Sequence, residues 1–113
     1  MTKYDQFICK MRQGTIENKI IWYEIDKKCY SKFSQNLTHG YYFPYNNYKI
    51  ILGYHQIDNE KQYVMMITNI DFCPLKFFYK NNFTNSNNLM RLFEIVNEKI
   101  DDIFCFIDQI ISE

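Results

Sequence analysis

The most regular pattern along the chain lies in its last quarter. The apolar residues Leu89, Phe93, Val96, Ile100, Ile103, Ile107 and Ile110 recur at alternating spacings of four and three, the period of one helical face. Leu92, Ile95, Phe104, Phe106 and Ile111 join them in an arc of about half the helical wheel. Asn85, Ser86, Asn87 and Asn88 supply capping residues ahead of it. The pattern predicts a helix over 88–112, about 40 Å long at the α-helical rise. Such a helix outruns the width of a four-stranded sheet, so its end either bends at Asp101-Asp102 or packs on another subunit.

Before this helix the periods are shorter. Tyr4, Phe7, Ile8 and Met11 mark one face of a short helix over 2–13, with Gly14 as its stop. Ile20 to Ile25 is β-branched and aromatic, which suits a strand. Tyr48 to Ile57 and Gln62 to Ile70 predict two strands around the polar gap Asp58-Asn59-Glu60-Lys61, the mark of a hairpin. Pro74 interrupts, and Leu75 to Lys80 predict a fourth strand with Lys76 and Lys80 turned to water. Residues 26–46, with His39, Gly40, Pro44 and Asn46, read as an irregular stretch. The expected class is α+β: a small antiparallel sheet of about four strands, with a short N-terminal helix and a long amphipathic C-terminal helix packed on one face.

A length of 113 residues predicts a single domain over 1–113. With 47% apolar and 23% charged residues, the chain belongs to the globular class and not to the disordered one. No apolar run approaches the ~20 residues of a membrane span, and Met1 to Gln6 carries no leader pattern. A cytoplasmic location without a membrane partner is therefore expected, with Cys9, Cys29, Cys73 and Cys105 as free thiols. The absence of alanine, 12 Asn, 16 Ile and 11 Lys against 2 Arg is the usage of an AT-rich coding sequence, as in AT-rich bacteria, their phages and their plasmids.

Charge changes this picture. Formal net charge is zero, yet residues 1–85 carry eleven basic and seven acidic side chains and residues 86–113 carry two and six. A net +4 is thus cancelled by −4. Glu94, Glu98, Asp101 and Asp102 lie opposite the apolar arc of the last helix and form a candidate partner-binding face; the plainer reading is the solvated side of an amphipathic helix.

The other candidate surface is aromatic. Tyr41, Tyr42, Phe43, Tyr45 and Tyr48 crowd into eight positions, and tyrosine is enriched at interface hot spots; the plainer reading has half of these rings capping the sheet. The same rings could stack on bases while Lys27, Lys28, Lys32 and Lys49 contact phosphates, although two arginines and zero net charge weigh against nucleic acid. Cys29, His39, His55 and Cys73 stand singly, without the paired spacing of a metal site, so no metal and no cofactor is expected. Cys73 with His55 and Asp71 is the one conceivable thiol triad, against a plainer reading of buried thiols; Cys105, on the polar arc, is expected to be exposed. Three glycines leave no phosphate loop, dinucleotide fingerprint or nucleophile elbow.

These features together predict a non-enzymatic protein-binding module. Its sharpest version is a phage- or plasmid-encoded inhibitor or regulator, of the anti-defence or anti-CRISPR kind, that occupies a partner's surface. The alternatives are a single-stranded nucleic-acid binder through region 27–49 and a homodimeric structural subunit joined through the last helix or through sheet edges.

Overall fold

Turn chemistry sets the frame of the sheet. Asn46 (φ 53°), Asp58 (φ 48°) and Asn59 (φ 67°) adopt left-handed backbone, which short Asn and Asp side chains tolerate and tight hairpins require. In the computed structural model, which describes residues 2–33 and 37–113 and only the backbone of Ser31 and Lys32, the elements are α1 (Lys3–Ile16), β1 (Tyr23–Glu24), β2 (His39–Tyr45), β3 (Tyr48–Ile57), β4 (Glu60–Asn69), β5 (Pro74–Phe78) and α2 (Asn88–Ser112). The strands form one antiparallel sheet in the order β1-β2-β3-β4-β5, with both helices on one face.

The α+β class and the bounds of α2 match the sequence reading; β1 keeps only Tyr23–Glu24 of the strand expected over 20–25, the last strand runs Pro74–Phe78 in place of 75–80, and three larger details differ. There are five strands, because the cluster from His39 to Tyr45 is β2 and not part of a loop. Pro44 fits there because β1 pairs only with Tyr41 and Tyr42, so no strand runs alongside Pro44 on that side. The β3–β4 turn is two residues, not four, with Ile57 opposite Glu60. Finally, α1 passes through Gly14 to Ile16. A Cβ at Gly14 would stand 2.6 Å from the Ile20 side chain, so this glycine admits a close crossing chain where the sequence suggested a stop.

Strand alternation gives the sheet two apolar faces. Tyr41, Ile50, Leu52, Met65 and Phe78 meet α1 and α2 through Ile8, Met11, Leu89, Leu92, Phe93 and Val96. Ile51, Val64 and Met66 face the other way, under Ile25, Phe33, Leu37 and Phe72. Phe72 holds a left-handed backbone (φ 64°), unusual for a bulky residue. The preceding turn supports it, with the Asn69 side-chain oxygen accepting from the amides of Asp71 and Cys73 at 2.9 and 3.0 Å.

Two polar clasps anchor the helices. The Asp5 carboxylate closes a capping box with Thr2 and also accepts from the amide and hydroxyl of Thr84, tying the start of α1 to the approach to α2. These bonds, those from Thr84 foremost, hold the Asp5 carboxyl well below the usual carboxylate range. At the other end of α1, the Trp22 indole donates to the Thr15 hydroxyl at 2.9 Å, which donates to the Met11 carbonyl at 2.7 Å.

Candidate docking surface

Helix α2 crosses the sheet from the β3–β4 turn towards the β1 margin. Leu89, Leu92, Phe93, Val96 and Ile100 fill the core along the way, and Asn97 accepts a hydrogen bond from the Tyr41 phenol. Past Ile100 the helix leaves the sheet, and every residue from Asp101 to Glu113 is exposed. The polar side of this segment carries Asp101, Asp102, Asp108 and Glu113 and no basic residue. Its other side carries Ile103, Phe104, Phe106, Ile107, Ile110 and Ile111 within an arc of about 160°.

Those six side chains lie between 42% and 76% exposed, with Ile111 the most open. Fully burying a large apolar side chain is worth ~1.5–3 kcal/mol, so on the order of 5 kcal/mol of burial is left unrealised. On the helical wheel the stripe lies directly in line with Leu89, Leu92, Val96 and Ile100, so it is the unburied continuation of the core seam. At its root is a notch of about 230 Å³, lined by Ile20, Ile21, Trp22, Lys99, Ile100 and Ile103 among others. Ile16 and Ile21 are 45% and 57% exposed beside it, and the Lys99 ammonium donates to the Ile16 carbonyl at 3.3 Å. The notch and the stripe make one continuous apolar step and rod.

The acidic residues read from the sequence are all exposed. Glu94 and Glu98 stand on the outer side of the packed half of α2, and Asp101 and Asp102 open the projecting half. The aromatic cluster, by contrast, is dispersed by strand alternation. Tyr41 is a core residue, 2% exposed, and burial pushes its phenol up to about 12; it therefore offers no ring to a partner. Phe43 is half-buried against Trp22, and Tyr42 packs against Phe72 and Tyr23. Only Tyr45 and Tyr48, flanking the β2–β3 turn, are exposed.

The basic aromatic set for nucleic acid does not assemble either. The Lys49 ammonium sits 3.9 Å from the Phe72 ring centroid and 5.1 Å from that of Tyr42, a cation–π contact that engages both lysine and rings. Lys27 and Lys28 are exposed, and the side chain of Lys32 lies outside the described residues. The thiol triad is likewise dispersed. His55 pairs with Gln62 in the ladder while Cys73 folds back on Asn69, seven ladder positions away and roughly 20 Å along the strands. Cys9, Cys73 and Cys105 are exposed and Cys29 is half-buried, so the expectation of buried thiols fails; Cys105 is exposed as its place on the polar arc implied.

Among the described residues, no group of three or more His, Cys, Asp or Glu is placed to hold a metal ion, and no helix is long and apolar enough to cross a membrane. A wider cleft of about 430 Å³ lies at the other end of α2, between the β3–β4 turn and Asn87. Its charged residues, Asp58, Glu60, Lys61 and Lys80, are of mixed sign and exposed. Sequence reasoning placed the working surface on carboxylates and tyrosines and kept the stripe with Ile103, Phe106, Ile110 and Ile111 only as the joint of a homodimeric alternative. The available signal was the length of the helix against the width of the sheet. No family model matches the chain, and no match is found among curated proteins or solved structures.

Proposed function

We propose that the protein is a non-enzymatic protein-binding module whose recognition element is the projecting half of α2. One observation carries this reading: a preformed amphipathic helix whose apolar side has no cover among the described residues, at a size of exposed patch that monomeric proteins rarely leave open. Helices of this kind bind by laying the apolar side into a groove, with anchors at spacings of three and four. Ile103, Ile107 and Ile110 have that spacing, with Phe104 and Phe106 on the flanks. Asp101, Asp102, Asp108 and Glu113 keep the opposite side solvated and disfavour an acidic partner. An inhibitor of the anti-defence kind is the version of this reading that small size and AT-rich residue usage suggest.

The test compares immobilised wild type with a Phe106→Glu, Ile110→Glu double variant. Both side chains are exposed, so circular dichroism of the variant is expected to match wild type. Wild type is expected to retain a specific protein that the variant releases. Equal retention by the two would sink the reading, as would loss on truncating Tyr45 and Tyr48 alone.

A further inference from the structure

We propose that the protein seated on this helix is a second copy of the same chain, with the two projecting halves packed antiparallel about a two-fold axis near Phe106 and Ile107. The proposal rests on the stripe being a docking surface and names its occupant. Shape is the first argument. The apolar rod extends about 18 Å beyond an apolar step formed by Ile16, Ile21 and the notch. Two such rods laid head to tail place each tip against the other's step, so one surface complements itself, as an isologous interface requires.

Register is the second argument. An axis between Phe106 and Ile107 sets Ile103 opposite Ile110 of the other copy and Phe106 opposite its Ile107. The four seam positions Ile103, Phe106, Ile107 and Ile110 then meet apolar positions, and Phe104 and Ile111 of the two copies fall on a shared flank. The tips bring Ile110 and Ile111 to the mouth of the notch beside Ile21.

Charge selects the direction. Lys99 is the one basic residue after Arg91, and it flanks the stripe at its root. Glu113 lies on the same flank at the tip, within about 40° on the wheel. Antiparallel packing puts Glu113 of each copy beside Lys99 of the other. Parallel packing would set Lys99 level with its own counterpart and leave Glu113 without a basic neighbour across the interface.

Area is consistent with this. Six side chains that each expose on the order of 100 Å² give roughly 1,200 Å² over two copies, the lower edge of stable interfaces. Ile16 and Ile21 add to that sum.

Two measurements test the proposal. Light scattering over a wide concentration series is expected to give a mass twice the 13.9 kDa of the chain at high concentration. The Phe106→Glu, Ile110→Glu variant is expected to weaken association at least ~100-fold. For direction, Cys9, Cys73 and Cys105 are replaced by Ser, and Ile103→Cys and Ile110→Cys chains are oxidised separately and mixed. Antiparallel packing cross-links the mixture far faster than either chain alone. A monomer at every concentration, a dimer indifferent to the two glutamates, or faster cross-linking of each chain with itself would each overturn the proposal. A monomer that still binds a different protein through the stripe would leave the docking reading standing; a monomer in which the glutamates alter no association would end both.

Discussion

Residues 88–100 and 101–113 of α2 share one apolar spacing and one helical phase, yet the first segment buries Leu89, Leu92, Phe93, Val96 and Ile100 while the second buries nothing. What separates them is the width of the sheet and the length of α1, which stop short of the last three turns. An amphipathic pattern therefore reports that a helix has an apolar side, and only the surrounding elements decide what that side meets. The contrast has a stability form: interactions of the first half hold the fold, while those of the second are available to a partner.

The largest expected effect lies in the packed half. Leu92 is fully buried, so Leu92→Ala should cost about 2–5 kcal/mol, read as a lower midpoint in denaturant with the slope retained. Recovery of wild-type stability in that variant would erase the difference between the halves.

The clasp that anchors the approach to the packed half comes next. Asp5→Asn removes the carboxylate that holds Thr84 and caps α1, and thermal unfolding should shift to lower temperature. The pH dependence follows from the sign of the shift. The folded carboxyl titrates below the ordinary Asp value, so the unfolded chain binds more protons in mild acid. The Asp5 contribution is thus complete above about pH 4 and is lost as pH falls through the folded value. Wild-type stability should fall through this acid range, and Asp5→Asn should lose that part of the slope.

A smaller effect is expected at Tyr41→Phe. It removes the hydrogen bond to Asn97 but keeps the ring, at a cost of about 0.5–1.5 kcal/mol by equilibrium unfolding. The smallest belongs to the projecting half. Ile110→Ser, measured at high dilution, should change stability by less than ~0.5 kcal/mol, because the side chain touches no core. A larger loss would mean that the end of α2 supports the fold after all.

Much of this architecture can be read from residue spacing. The period from Leu89 to Ile110 places α2 to within a residue, and alternation finds β3 and β4. β2 stays hidden because His39, Gly40 and Pro44 carry turn chemistry, and only pairing with β3 gives them a strand conformation. The tyrosine cluster misleads for the same reason: consecutive strand residues point to opposite faces, so nearness in sequence disperses Tyr41 and Tyr42. The exposure of Ile103, Phe106 and Ile110 depends on where other elements end, which periodicity within the helix does not encode.

The hydrogen bonds from Thr84 to Asp5 join positions separated by 79 residues, whereas each strand of the sheet pairs with its sequence neighbour. During synthesis the meander can zip as each hairpin emerges, but the N-terminal end of α1, made first, lacks its clasp until the chain has been made past Thr84. The apolar side of α1, with Ile8 and Met11, waits uncovered for nearly the whole of translation. The clasp is therefore a late step in assembly, and mutations that weaken it should lower the yield of folded chain from the ribosome more than they lower the stability of chains already folded.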